Sequence, residues 1–311
     1  MTTVAEWRDV SRCYGALRAV ADVSLALRAG EVTALVGHNG AGKTTLIKLL
    51  LGLIRPSAGA VRVLGLDPAG RAGARARQAL GFVPENVAFH GAMTALELMA
   101  FYARLKNCAP ARNLALLERV GLAEAARRRV ATYSKGMRQR LGMAQALIGA
   151  PRLLLFDEPT SGLDPASRAE VYATIDRLRA DGATVLVSTH ALAEIERHVD
   201  RVAIMHRGRL LALGALAELQ RGSALPLRLR VCLRPGGAAR VAAVLPPGVS
   251  CTPVGDDTTL ELVLAPAGKM ALLRTLVNLG DAVEDLDWTT PGLEALHRQL
   301  VAASAVPEAR A

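Results

Sequence analysis

The chain has 311 residues, 51% apolar, 3% aromatic and 21% charged, with a formal net charge of +10. That length holds one large domain and a small one, and the core must be built from Leu, Val, Ala and Ile rather than from rings. No stretch reaches the roughly 20 uncharged apolar residues that cross a bilayer, and Glu6, Arg8 and Asp9 interrupt any signal-like N-terminus, so a cytosolic protein is expected.

In chain order, residues 4–36 alternate apolar and polar in short runs punctuated by glycine. Strands are expected over residues 20–27 and Val32–Val36, on either side of the turn Arg28-Ala29-Gly30-Glu31. A helix over 45–51 follows, then strands over 59–64 and 80–84. Helical periodicity dominates 94–150, with helices at Ala95–Leu105, 113–120 and 141–148. Residues 153–156 are an apolar run with a carboxylate at its end, as in a central strand of a parallel sheet. An amphipathic helix at 167–179, a strand at 184–188 and a helix at 191–199 come next. A hairpin of 202–206 and 209–213 then closes around Arg207-Gly208. Strand and helix alternate, which implies an α/β fold with a mostly parallel sheet.

Gly222, Ser223 and Pro226 break the pattern, so domains are expected at 1–222 and 226–303, with 304–311 a disordered tail. Beyond the break, strands at Leu227–Leu233, 249–253, 260–264 and 283–286 and helices at 238–245 and 269–279 run β-α-β-β-α-β. That order is the one found in a small ferredoxin-like α+β domain. A last helix is expected at 293–301.

Only five lysines occur (Lys43, Lys48, Lys106, Lys135, Lys269), so arginine carries almost all the positive charge. The arginines are scattered, apart from Arg127-Arg128-Arg129. Compositional bias, with a modest contribution from a membrane-proximal position, accounts for them. No basic patch is interleaved with aromatics, and no nucleic-acid partner is expected. Cys13, Cys108, Cys232 and Cys251 are far apart and form no C-x-x-C pair, the pattern of reduced structural thiols. The histidines have no metal-ligand spacing, and Met93 and Met99 read as packing residues.

Gly37-His38-Asn39-Gly40-Ala41-Gly42-Lys43-Thr44 has the spacing of a phosphate-binding loop, between a strand and a helix. Its glycines let backbone N–H groups turn toward phosphate oxygens, and the helix opening near Thr45 adds its positive dipole end. Lys43 can reach β- and γ-phosphates, and the Thr44 hydroxyl can ligate Mg²⁺. Asp157 and Glu158, at the end of a strand, supply a Mg²⁺ partner and a group able to polarise an attacking water. Ser134 and Gly136, in Tyr133-Ser134-Lys135-Gly136-Met137-Arg138-Gln139-Arg140, stand at a helix start, a second anion-binding end.

Taken together, these segments resemble the ABC ATPases over residues 1 to about 220. The resemblance implies a P-loop NTPase fold with an antiparallel β subdomain and a helical subdomain, ATP and Mg²⁺ as ligands, and ATP hydrolysis. It implies that Ser134 and Gly136 of one copy close over ATP held by the P-loop of a second copy, in a homodimer. Tyr14 matches the aromatic that stacks on adenine, Asp164 belongs to the match of Ser161-Gly162-Leu163-Asp164 to the D-loop, and His190 matches the switch histidine. Three positions, in two segments, depart from the family pattern. The signature carries Lys135 and Met137 where Gly and Gln are common, and the lid position usually held by Gln is Glu85, a carboxylate that can still approach Mg²⁺.

One nucleotide domain without a membrane span fits a peripheral subunit on the inner face of a membrane, working with a polytopic permease. Pro84-Glu85-Asn86-Val87, the run 133–147 and the segment 226–231 are similar to the ATPases of nitrous oxide reductase maturation. That likeness implies mechanical work for copper-site assembly with a periplasmic copper-handling protein. The alternatives are an ATPase of a drug, lipid or polysaccharide exporter, with the same chemistry, and a soluble ABC protein acting on DNA or ribosomes.

Overall fold

The structure is a computed structural model and describes residues 2–223, 225–255 and 258–305. Alternating burial makes an antiparallel pair of β1 (Thr3–Tyr14) and β2 (Leu17–Arg28). The far edge of β1 takes β4 (Ala58–Val63), giving the order β2-β1-β4.

The second sheet contains β5 (Leu80–Val83), β6 (Leu153–Asp157), β7 (Val185–Thr189), β3 (Val32–Val36), β8 (Arg201–His206) and β9 (Arg209–Gly214), in that spatial order. It is parallel from β5 to β8, and β9 returns antiparallel. Every residue of β3, β6 and β7 is buried. This explains their continuous apolar reading, since a parallel strand is covered on both faces.

Around these sheets lie α1 (Lys43–Leu50), α2 (Gly73–Gln78), α3 (Ala95–Leu105), α4 (Asn113–Arg119), α5 (Lys135–Ala146), α6 (Pro165–Ala180) and the single turn α7 (Leu192–Ile195). Thr94 and Glu97 form a reciprocal capping box that starts α3. Trp7 and Leu25 of the first sheet share one core with Leu46 and Leu50 of α1 and with Leu155 and Leu186 of the central sheet.

Several expectations need correction. The expected helix 141–148 begins at Lys135, because the Ser134 hydroxyl accepts from Met137 N at 3.1 Å and caps a polar first turn that shows no apolar periodicity. The expected helix 191–199 ends at Ile195, because the chain must turn to enter β8. Asp200 N donates to Val32 O, and the Asp200 carboxylate accepts from Val32 N, both at 2.9 Å. The strands on either side of Arg28–Glu31 belong to different sheets. Helix α2 and a helix α8 (Leu216–Arg221) were not foreseen.

The chain divides into two compact units after Gly214, ahead of the break at 221–226. The reason is α8, which belongs to the second unit: its Gln220 Nε2 donates to Pro291 O at 2.8 Å. The second unit continues through β10 (Leu227–Leu233), α9 (Gly237–Val244), β11 (Ser250–Pro253), β12 (Thr259–Leu264), α10 (Lys269–Val277), β13 (Val283–Thr289) and α11 (Leu293–Ala305). Its antiparallel sheet has the order β11-β12-β10-β13. Leu229, Val231, Leu260 and Leu262 pack with Val241, Leu272 and Leu276 in a core of their own. Of the expected tail, residues 306–311 lie outside the described residues.

Trp7 is 1% exposed, and its indole N–H has no hydrogen-bond partner. Trp7→Ala should lower the unfolding free energy by about 3–5 kcal/mol through the cavity it opens. Trp7→Phe should cost clearly less, because it also removes the unpaired donor. Chemical denaturation of the two variants checks the order, and equal losses would refute it.

Candidate nucleotide site

Three neighbouring strands end at the same edge of the central sheet. Val36 pairs with Thr189, and Asp157 pairs with Ser188. The loop after β3, the acids that close β6 and the histidine after β7 therefore leave side by side. The carboxyl edge is where open α/β sheets bind ligands.

The loop after β3 is fixed from outside. Gly208 N donates to Ala41 O at 3.0 Å, and Gly208 O accepts from Ala21 N at 2.8 Å, so the turn of the β8–β9 hairpin props the loop. Gly42 stands at the N-cap of α1 with φ +103°, and a Cβ there would lie 2.7 Å from Ala19 O. No larger residue fits that turn. Lys43 opens α1 with its side chain buried, and its Nζ donates to Gly37 O at 2.6 Å and to His38 O at 3.3 Å.

Lys43 Nζ is also 3.1 Å from Glu158 Oε1. That contact is an ion pair without hydrogen-bond alignment, so Oε1 is buried with no hydrogen-bond donor. The other oxygen, Oε2, lies 2.8 Å from His190 Nδ1 and accepts from His190 N at 3.3 Å. Glu158 sits at φ +47°, a conformation that costs an L residue roughly 1–2 kcal/mol. Ser188 offsets this: its carbonyl and its hydroxyl oxygen both accept from Glu158 N, at 3.1 and 2.9 Å. The Ser188 hydroxyl then donates to Asp157 Oδ1 at 2.5 Å. Thr44 Oγ1 lies 3.4 Å from that same carboxylate oxygen.

Tyr14, His38, Asn39, Gly40, Ala41, Gly42, Lys43, Thr44, Thr45, Glu85, Glu158 and His190 line one cleft of about 690 Å³. Gly37 leads into it, and Asp157 lies beneath Thr44. Tyr14 is 43% exposed, with the Arg12 guanidinium 4.7 Å from its ring centroid. Glu85 reaches the cleft at the far side, where its Oε1 accepts from Ser161 Oγ at 3.4 Å.

Ser134, Gly136 and Asp164 do not line this cleft. Ser134 caps α5, and Gly136 in its first turn packs against α6, where a Cβ would be 2.3 Å from Ser167 Oγ. Asp164 caps α6: Ser167 N donates to its Oδ1 at 2.9 Å, and hydrogen bonds from Ser167 hold its carboxyl below the usual range. Sequence reasoning missed Ser188, Arg18 and Arg207. The last two line the cleft as isolated arginines, Arg18 near the start of β2 and Arg207 in the β8–β9 turn, and neither carries a sequence signal. Ser188 had one: a hydroxyl at the end of an apolar strand, two residues before His190.

A family model described as ABC transporter matches residues 20–161. The daunorubicin resistance ATP-binding protein of Streptomyces coeruleorubidus is 36% identical over 296 residues, covering 92% of each chain. The linearmycin resistance ATP-binding protein of Bacillus subtilis (strain 168) is 30% identical over 310 residues, 97% of this chain and 89% of that one. The chain belongs to the ABC transporter ATP-binding proteins. A solved structure of the ATP binding subunit of an ABC transporter shares the fold, with a TM-score of 0.63 at 33% identity over 70% of this chain and 92% of that one.

As an ABC ATPase the chain binds and hydrolyses ATP. The donors beside its P-loop suit Mg²⁺, which takes hard oxygen ligands. The Thr44 hydroxyl and the Asp157 carboxylate present two oxygens 3.4 Å apart, with Asp157 oriented by Ser188.

Ser188→Ala removes the hydroxyl shared by Asp157 and the Glu158 backbone but leaves the carbonyl that Glu158 N also uses. Losing such a buried bond is worth about 1–3 kcal/mol, so ATP turnover should fall about tenfold or more. The magnesium concentration for half-maximal turnover should rise. Phosphate release titrated against Mg²⁺ reads both, and unchanged values would remove Ser188 from the site.

Proposed function

We propose that this ABC ATPase is the motor subunit of an exporter of a drug-like compound, acting on a polytopic membrane permease. The observation that carries the reading is the extent of the two drug-resistance relatives. Alignments of 296 and 310 residues must include the second unit as well as the nucleotide-binding one. Copper-site assembly for nitrous oxide reductase, with a periplasmic copper-handling protein, uses the same motor chemistry. Neither relative is named for copper, so that reading carries less weight. No helix among the described residues is long and apolar enough to cross a membrane, in keeping with a peripheral subunit on the inner face. The β-α-β-β-α-β order and strand order of the second unit support a ferredoxin-like accessory domain.

Two copies form two composite sites. In each, the backbone of residues 37–44 and Lys43 of one copy hold the phosphates, and Tyr14 stacks on the base. Ser134 and Gly136, at the N-terminal end of the partner's α5, cap the γ-phosphate. Thr44 and Asp157 would hold Mg²⁺, with Glu85 near it; when bound, the ion would neutralise phosphate charge. Glu158 Oε1, buried and without a hydrogen-bond donor, orients the attacking water and takes up its proton. His190 holds the other carboxylate oxygen and reports the γ-phosphate to the same acid.

Glu158→Gln keeps the shape and removes the base. ATP turnover should fall about 10²–10⁴-fold, the usual contribution of a positioned base, while ATP binding and the ATP-dependent dimer persist. Expressed with its permease in a drug-sensitive cell, the wild-type chain should raise drug tolerance, and Glu158→Gln should abolish that gain. Unchanged turnover would remove Glu158 from its role. A change in the copper content of nitrous oxide reductase, with no change in tolerance, would favour the copper reading.

A further inference from the structure

We propose that Lys135 is a positioning residue for hydrolysis, tying the α5 end that a chain offers its partner to the loop behind its own Glu158. Lys135 Nζ donates to Ser161 O at 2.8 Å. Ser161 N donates to Glu158 O at 3.0 Å, and Ser161 Oγ donates to Glu85 Oε1 at 3.4 Å. One serine is thus held at three points, by the α5 turn, by the catalytic acid's backbone and by the lid segment. The next residue leaves room for this: Gly162 has φ +63°, and a Cβ on it would lie 2.5 Å from Lys135 Nζ. Lys135 and Glu85 also line the same small cavity of about 210 Å³.

These are two of the positions where the chain departs from its family's pattern. A glycine at 135 could not reach Ser161, and a glutamine at 85 would carry no charge. Here opposite charges stand at the two ends of one residue. The ammonium polarises the Ser161 peptide and balances the negative charge that Glu85 adds beside a phosphate cleft. Exposed charges of this kind contribute little to folding, so the consequence falls on the placement of residues 158–162. Closure of a partner on the Ser134–Gly136 turn is thereby felt at the chain's own Glu158.

The proposal rests on the composite-site reading, and the experiment separates the two. Full-length Lys135→Ala, Lys135→Arg, Glu85→Gln and the double variant Lys135→Ala/Glu85→Gln are assayed for kcat and KM of ATP hydrolysis and for melting temperature. Lys135→Ala should lower kcat about tenfold, as expected for one lost charge-assisted contact. KM for ATP and the melting temperature should stay near wild type. Lys135→Arg should restore most of the rate, and Glu85→Gln should have less effect in the Lys135→Ala background than alone, because coupled residues are not additive.

An unchanged kcat in Lys135→Ala, or rate losses that simply multiply in the double variant, would overturn the tie. Should Lys135→Ala lower the melting temperature, Lys135→Gln, which keeps length and polarity, replaces it in the same cycle. Glu158→Gln is run alongside. Its continued turnover defeats the composite-site reading, whereas a dead Glu158→Gln beside a fully active Lys135→Ala defeats only the tie.

Discussion

Lys43 Nζ and Glu158 Oε1 lie 3.1 Å apart, with side chains only 5% and 9% exposed. Two charges withdrawn from water need each other, and removing one leaves the other uncompensated at a cost of about 3–5 kcal/mol. The surrounding structure is arranged to keep them opposed. Lys43 is fixed by starting α1 and by the carbonyls of Gly37 and His38. Glu158 is fixed by Ser188 behind its backbone and by His190 on its second oxygen. Neither clamp works unless β3, β6 and β7 end in register. The ion pair therefore depends on the register of the buried parallel strands.

The same arrangement is why the proposed catalytic centre calls for a second copy. The carboxyl edge gathers groups suited to the phosphate side: a loop of N–H groups, a lysine, two acids and a histidine. The α5 end, with Ser134 and Gly136, lies outside that cleft. Gly136 is already constrained inside its own subunit, since any side chain would strike Ser167. Packing against α6 demands glycine there, and the proposed approach to an anion would use the same missing side chain, so a substitution would disturb both.

The parts legible in the sequence were those whose chemistry is local. Gly37–Thr44, Asp157-Glu158 and the hairpin around Arg207-Gly208 declare themselves through spacing along a few residues. The buried strands did so through unbroken apolar runs, and the second unit through alternation between glycine and proline breaks. Residues whose role depends on tertiary position did not show themselves. Ser188 matters because β7 lies beside β6, and Arg18 reaches the cleft only because β2 belongs to the other sheet. The start of α5 was missed because Lys135–Arg140 is polar, so its helix is declared by the Ser134 cap rather than by a hydrophobic stripe. Helix α7 was expected too long because the competing demand, Asp200 pairing with Val32, lies 168 residues away in the chain.

The ATP chemistry of this chain does not by itself say what is moved. The groups proposed to meet ATP answer to phosphate geometry and to the need for a base, whatever is moved. A fold and its shared chemistry do not name a substrate. What distinguishes one ABC ATPase from another must lie where the chain departs from that shared set. In this chain that means the paired substitutions Lys135 and Glu85 around Ser161, and the second unit with its separate core. By the proposed tie, the first would tune how ATP at one site is felt at the other. The second unit falls within the alignments that extend along nearly the whole chain to the drug-resistance proteins, which is why those alignments weigh more heavily on the choice of cargo than the motifs around ATP.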